Sequence, residues 1–150
     1  MIIRLLLAVA LGAVIGIERE LAGKAAGIRT DVMVAAGAAI FAMIGLSLPY
    51  IVGGSFGEIS EIITGNAGYF AIIANVVVGV GFLGAGIIIQ QGTHVYGVTT
   101  AATVWFVAAV GLLAGVGLTS FAVASSVIMV ILLTLLRHVD IHKLFGKKSE

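Results

Sequence analysis

The densest group of side chains able to do chemistry lies in a short polar segment from Gly16 to Asp31. Its three carboxylates, Glu18, Glu20 and Asp31, offer the hard oxygen ligands that suit Mg²⁺. Three cations in the same segment can instead pair with these carboxylates, and the segment is then an ordinary solvated loop with helix caps and ion pairs. The residues alone leave both interpretations open.

The predicted functional cluster extends beyond these carboxylates. Ionisable groups at a membrane edge are costly and need partners, which singles out Glu18 and Arg29. Thr30 or Asp31 is predicted to cap the following helix, because the helix dipole favours an acid there. Glu18 and Asp31 are the metal candidates, and no cofactor other than Mg²⁺ is expected. The full cluster comprises Glu18, Arg19, Glu20, Arg29, Thr30, Asp31, Thr99 and Thr100.

A second motif, Gly79-Val80-Gly81-Phe82-Leu83-Gly84, matches the G-x-G-x-x-G pattern of dinucleotide-binding loops. That function needs a preceding strand and an acid about 20 residues later. Here the motif lies inside an apolar run, and no acid follows until Asp140. Close helix packing is favoured instead, because small residues let helices approach each other in lipid. The predicted packing residues are Gly12, Gly16, Gly79, Gly81, Gly84, Gly86, Gly111 and Gly115, with Trp105 as a packing anchor or interface residue.

The remaining polar side chains give no catalytic arrangement. Asn75 lies in an apolar run, where a hydrogen bond between helices is favoured over a role as substrate ligand. His138 and His142 share a helix face beside Asp140, a spacing that zinc can use but that plain membrane-edge residues also show. No Ser-His-Asp, paired-carboxylate or HExxH pattern occurs, so we expect no enzymatic activity.

Hydropathy predicts which elements position these residues. The 150 residues are 61% hydrophobic and 10% charged, against about 25% charged in typical soluble domains. Between Val32 and Leu136 only Glu58 and Glu61 are charged. This pattern predicts an all-α integral membrane protein. A net charge of +1 with no basic run before the tail argues against nucleic-acid binding.

Five apolar runs are predicted to be transmembrane helices, since about 17–25 residues cross a bilayer. Lys and Arg cluster after the first run and in the tail, whereas the loop between the second and third runs has none. The positive-inside rule then places the N-terminus outside and the C-terminus inside. The Gly-rich third span is expected at the centre of the bundle. The predicted transmembrane domain (1–137) has spans 2–17, 32–48 (ended by Pro49), 69–89, 99–118 and 120–136, and a basic cytoplasmic tail (138–150) follows.

An internal repeat of helical hairpins is a further prediction. If it exists, the repeat is parallel, about an axis along the membrane normal, and the two cytoplasmic turns lie side by side. The alternative is coincidence in a chain rich in Gly, Ala and Val. The spacing that suggests it occurs at Gly16, Gly27 and Thr30 and, 70 residues later, at Gly86, Gly97 and Thr100.

Four motifs resemble, in the same order, those of the MgtC/SapB family of bacterial inner-membrane proteins. The resemblance implies a link to magnesium limitation and, in pathogens, to survival inside host cells. It implies a modulator of other membrane machinery as much as a transporter. Many relatives carry a soluble C-terminal domain, and we expect this chain to be the membrane core alone. The motifs are LGAVIGIERE (11–20), GIRT (27–30), GVGFLGAG (79–86) and YGVTTAATVW (96–105).

The residues and the resemblance together favour a membrane-embedded regulator of other membrane proteins, active in magnesium or ion homeostasis or in stress adaptation. The lack of an acidic or basic side chain in mid-membrane counts against a proton-coupled carrier or pump. The alternative is a small channel or carrier for Mg²⁺ or another small solute. The expected partners are the bilayer of the bacterial inner membrane, other membrane proteins and a second copy of this chain in a homo-oligomer, with a dimer predicted.

Overall fold

A computed structural model describes residues 1–52 and 68–138 of the chain. Within these residues the fold consists of five α-helices and one short β-hairpin. Four residues considered above, Glu58, Glu61, Asp140 and His142, lie outside the described residues. The helices are α1 (Ile2–Leu21), α2 (Ile28–Val52), α3 (Gly68–Ile87), α4 (Val98–Val116) and α5 (Thr119–His138), and the strands are β1 (Ile89–Gln91) and β2 (His94–Tyr96).

Helix α2 forms the centre of the structure. It packs along α1 and along α4, and α3 lies against α2 and α4. Helix α5 packs on α1 and α4. The prediction of a central third span is therefore wrong, because α3 lies at the edge of the described bundle and no described residue packs closely on most of its glycines.

Glycines bring the backbones of the central helices into contact. A Cβ added at Gly12 on α1 would lie 2.7 Å from the carbonyl oxygen of Asp31, and one at Gly16 would lie 2.6 Å from Cα of Ile28. On α4, a Cβ at Gly111 would meet the carbonyl oxygen of Ala35. No larger residue fits these positions without a backbone shift, so the glycines set the spacing of α1, α2 and α4.

The glycines of α3 are in a different environment. A Cβ added at Gly79, Gly81 or Gly86 would meet no atom of residues 1–52 or 68–138 within 4 Å, and one at Gly84 would make an ordinary contact of 3.6 Å with Cβ of Ala101. Gly115 of α4, in contrast, would place a Cβ 2.6 Å from the carbonyl oxygen of Ala39. The close helix contacts within the chain thus use Gly12, Gly16, Gly111 and Gly115.

The helices differ from the predicted spans at their ends. α1 continues for one turn beyond residue 17, so that Glu18 and Arg19 are helical. α2 begins at Ile28 and passes through Pro49, which lies three residues before the helix ends. The proline lacks the N–H that would donate to the carbonyl oxygen of Gly45, and transmembrane helices tolerate such a loss.

The β-hairpin between α3 and α4 has no counterpart in the all-helical prediction. Ile89 pairs with Tyr96 and Gln91 with His94, which leaves a two-residue loop whose first residue, Gly92, has a φ of +61°. Gly at this position of a two-residue loop is a hairpin signal. The three-residue strands are too short to show an alternating pattern, so hydropathy did not reveal them.

In the part of the chain that the structure describes, three helices are long and apolar enough to cross a bilayer: Ile28–Ile51, Val98–Val116 and Thr119–Arg137. The apolar part of α3, Ala71–Ile87, is shorter. α1 has 20 residues and carries Arg4 near its start and charged residues in its last turn. The number of spans, the membrane side of each end and the hairpin repeat stay predictions.

Candidate functional site

Buried polar side chains gather at one end of the bundle. Of the described residues, six polar side chains are buried, and five of them lie where α1 ends and where α2 and α4 begin. The sixth, Ser126 on α5, donates to the carbonyl oxygen of Ala122 in its own helix. The five are Glu18 and Arg19 on α1, Asp31 on α2, and Thr100 and Thr103 on α4.

An ion pair between neighbouring residues of α1 is part of this group. Nε of Arg19 donates to Oε2 of Glu18 at 2.6 Å, and Nη2 of Arg19 pairs with the same oxygen. Arg19 is 3% exposed and Glu18 is 8% exposed. Removing Arg19 would leave the carboxylate of Glu18 buried without its cation, so Glu18 depends on Arg19.

Asp31 is the most deeply buried charged residue of the group. Its exposed fraction is 0%, and neither Oδ1 nor Oδ2 has a hydrogen-bond partner among the described residues. Oε1 of Glu18 also lacks a partner there. Arg19 is the cation whose charge acts on Asp31. We define Glu18, Arg19 and Asp31 as the buried charged cluster.

The close approach of α1 and α2 explains why Asp31 is sealed from solvent. Gly12 packs on the backbone of Asp31 itself, and Gly16 packs on Ile28 one turn earlier on α2. Both glycines belong to the G-x-x-x-G of α1. A motif predicted for helix packing therefore also buries the carboxylate.

Glu20 and the helix start lie outside the cluster. Oε2 of Glu20 accepts a hydrogen bond of 3.1 Å from the backbone N–H of Ile28, the first residue of α2. The prediction that Thr30 or Asp31 caps this helix is wrong, because α2 begins two residues earlier. The cap comes instead from the end of α1, which the contact at Gly16 brings next to the start of α2.

The structure separates the other predicted cluster residues. Arg29 and Thr99 are exposed, and Thr30 is half-buried. Thr100 is buried at the start of α4, near the same end of the bundle. Thr103, one turn further on, donates to the carbonyl oxygen of Thr99 at 2.9 Å.

The acidic residues do not form a group of metal ligands within the described residues. No three side chains of the His, Cys, Asp or Glu type come together in residues 1–52 and 68–138. Glu18 is engaged by Arg19, and Glu20 accepts from Ile28. Among the buried carboxylates of the described residues, the two metal candidates, Glu18 and Asp31, have oxygens without hydrogen-bond partners.

Asn75 and Trp105, which were singled out in the sequence, lie at the surface of the described structure. Asn75 is exposed on α3. Trp105 on α4 is 50% exposed. The G-x-G-x-x-G motif, Gly79 to Gly84, lies in the interior of α3 and adopts no loop.

Sequence reasoning gave no role to Arg4. Nη1 of Arg4 donates to the carbonyl oxygen of Gly115, at the end of α4, at 3.1 Å. This carbonyl is one of the last of its helix, where a cation is favoured. The signal available in the sequence was a single cation inside an otherwise apolar run.

Comparison with known proteins identifies the family. The MgtC family model matches residues 5–141. This chain belongs to the MgtC family. It is 40% identical over 127 residues to "Protein MgtC" of Brucella abortus (strain 2308), which covers 85% of this chain and 47% of that protein. It is 39% identical over 136 residues to "Protein MgtC" of Salmonella typhimurium (strain 14028s / SGSC 2262), which covers 91% of this chain and 52% of that protein.

The family match includes every residue of the buried charged cluster and all of the five helices except the first three residues of α1. This chain spans about half the length of the curated MgtC relatives that it matches. No solved structure matches the chain significantly. The resemblance inferred from the four motifs is thus confirmed at the level of the family.

Proposed function

We propose that this chain is a multi-pass protein of the bacterial inner membrane that acts in magnesium or ion homeostasis, or in stress adaptation, by binding and regulating another membrane protein. Membership of the MgtC family supports the proposed membrane location and the link to magnesium homeostasis. The observation that carries the regulatory role is an apolar groove between α2 and α3 that no described residue fills.

The groove is large and almost entirely apolar. Its volume is about 560 Å³, enough for several side chains of a partner helix. Gly37 and Gly79 leave its floor open, because a Cβ at either position would meet no described atom within 4 Å. Met33, Gly37 and Phe41 line it from α2, and Asn75, Gly79 and Leu83 line it from α3.

The chemistry of the groove fits a transmembrane helix of another protein. Without side chains at Gly37 and Gly79, a second backbone can approach closely, which favours helix association in lipid. The exposed amide of Asn75 supplies a hydrogen-bond donor and an acceptor in an apolar surface. We therefore expect a partner helix with a small-residue face and a polar side chain at the depth of Asn75.

A groove-filling substitution tests this role. Gly79→Leu should remove the ability of the protein to restore growth of a deletion strain at low Mg²⁺, while the purified protein keeps its helix content and melting temperature. Val78→Leu is the matched control, because Val78 is 73% exposed on the same helix and does not line the groove. Full growth with the Gly79 variant would contradict the proposal.

A flux measurement separates regulation from transport. Purified protein in liposomes loaded with a Mg²⁺ indicator should give no uptake above that of empty liposomes. Uptake by the wild type that is lost in Glu18→Gln would overturn the regulatory proposal and favour a carrier.

The alternative, a small channel or carrier, has one observation in its favour. The buried charged cluster places ionisable groups inside the helix bundle, where such groups mark ion pathways in many membrane proteins. The liposome experiment decides between the two functions.

A further inference from the structure

The buried charged cluster contains three carboxylate oxygens that no group in the described residues satisfies. They are both oxygens of Asp31 and Oε1 of Glu18. A buried carboxylate without a hydrogen bond is unusual, because burial removes its hydration and nothing replaces it. These oxygens are therefore available to a ligand that carries positive charge.

The cluster also has an unbalanced charge. Two carboxylates and the guanidinium of Arg19 sum to one negative charge. The other charged residues near this end, Glu20, Lys24 and Arg29, are exposed to solvent. They screen the cluster much less than a buried counter-charge would.

Among the described side chains, the helices packed around the cluster supply no further buried charge. α5, which packs on α1 and α4, carries one arginine, Arg137, and that arginine is exposed. α4 packs on α1 and α2 and carries no ionisable side chain; its buried polar groups at this end are the hydroxyls of Thr100 and Thr103. α3 carries no Asp, Glu, His, Lys or Arg. The surplus negative charge thus stays uncompensated within the described residues, in surroundings of low dielectric constant where this is costly.

We propose that the buried charged cluster binds a single monovalent positive charge, a proton or an alkali-metal ion, on the free oxygens of Asp31 and Glu18. One positive charge makes the cluster neutral, whereas a divalent ion would replace a surplus of −1 by one of +1. Carboxylate oxygens are suitable ligands for either a proton or a hard cation. This site is independent of the partner groove and of the function proposed above.

The experiment measures the melting temperature of the purified full chain in lipid nanodiscs, at constant ionic strength. At alkaline pH, the melting temperature in choline chloride is compared with that in NaCl and in KCl. In choline chloride, the melting temperature at acidic pH is compared with that at alkaline pH. Choline is too large to enter a sealed site. If an alkali ion is the ligand, NaCl or KCl should raise the melting temperature at alkaline pH. If the proton is the ligand, acidification alone should raise it by a similar amount, roughly 3 °C or more.

Variants assign the effect to the cluster. Asp31→Asn should abolish the dependence on cation and pH and should itself melt higher than the wild type at alkaline pH, because it removes the surplus charge. Glu20→Gln is the control, since it removes an exposed carboxylate from the same helix end and should keep the wild-type dependence. If Asp31→Asn does not fold, Glu18→Gln serves the same purpose, because it neutralises the same surplus.

The outcomes are distinct. A melting temperature of the wild type that is indifferent to both alkali cations and acid would overturn the proposal. The same holds if the dependence persists in both Asp31→Asn and Glu18→Gln. A difference infrared spectrum then identifies the bound charge: a protonated-carboxyl C=O band that is missing in Asp31→Asn shows a proton, and a shift of the carboxylate band on adding Na⁺ or K⁺ shows an alkali ion.

Discussion

The guanidinium of Arg4, near the start of α1, donates a 3.1 Å hydrogen bond to the carbonyl oxygen of Gly115, near the end of α4. The two residues are 111 positions apart in the chain. The contact ties the first helix to the fourth at the end of the bundle opposite the buried charged cluster. It also places a positive charge at the negative end of the α4 dipole.

This contact predicts a specific loss of stability. Arg4→Gln should lower the free energy of unfolding by roughly 1 kcal/mol, because a half-buried, charge-assisted hydrogen bond and its dipole interaction are lost. Thermal unfolding in nanodiscs, followed by circular dichroism, measures the change. Arg137→Gln is the control, because that arginine is exposed at the end of α5. Equal melting temperatures for the two variants would argue against a structural role for Arg4.

The two classes of glycine predict opposite responses to the same substitution. Gly111→Ala should destabilise the protein by about 1–3 kcal/mol, because its Cβ would overlap the carbonyl oxygen of Ala35 and force α2 and α4 apart. Gly79→Ala should change stability by less than about 1 kcal/mol, since its Cβ meets nothing within 4 Å and alanine favours a helix. Both are measured by the same unfolding experiment. A Gly79 variant as unstable as the Gly111 variant would mean that α3 is covered.

The ion pair in the cluster predicts strong coupling between neighbouring residues. Arg19→Met should cost about 3–5 kcal/mol, because it leaves the carboxylates of Glu18 and Asp31 buried without a cation. Adding Glu18→Gln to that variant should recover part of the loss, and a double-mutant cycle gives the coupling energy. Lys24→Met, an exposed cation on the same side, should have little effect. If the free-energy losses of Arg19→Met and Glu18→Gln simply add in the double variant, the two side chains are not coupled and the ion pair is contradicted.

Side-specific labelling tests the predicted orientation in the membrane. The chain has no cysteine, so Lys24→Cys and Thr119→Cys each introduce a single label at an exposed position. An impermeant maleimide should label Thr119→Cys in intact cells, but Lys24→Cys only after permeabilisation, because the basic segments are predicted to stay inside. Labelling of Lys24→Cys in intact cells would reverse the assignment.

Much of the helical fold follows from local properties of the sequence. Long apolar runs with few charges can satisfy their backbone hydrogen bonds in lipid only as helices, and the five predicted runs each contain the middle of an observed helix. Helix ends were less predictable. Glu18 and Arg19 look like loop residues by hydropathy, yet α1 continues through them because the pair is buried against neighbouring helices.

The candidate site was only partly predictable. Polarity and position at a membrane edge picked out Glu18, Arg19 and Asp31, together with Glu20, Arg29 and Thr99, which the structure leaves exposed. Both groups are chemically alike in the sequence. Periodicity cannot separate them, because burial here depends on which face of α1 meets α2.

Residue types predict the class of the protein, the family and the polar end of the bundle, since they carry the hydropathy, the charge and the motifs. The folded structure adds that, among the described residues, α2 is central, the face of α3 is open, and Asp31 is sealed without a hydrogen-bond partner. The physical reason is that small residues permit close packing wherever they occur. Whether another helix packs closely on Gly12 or Gly79 depends on which helix lies opposite in the fold. Residue type and spacing do not specify which helix that is.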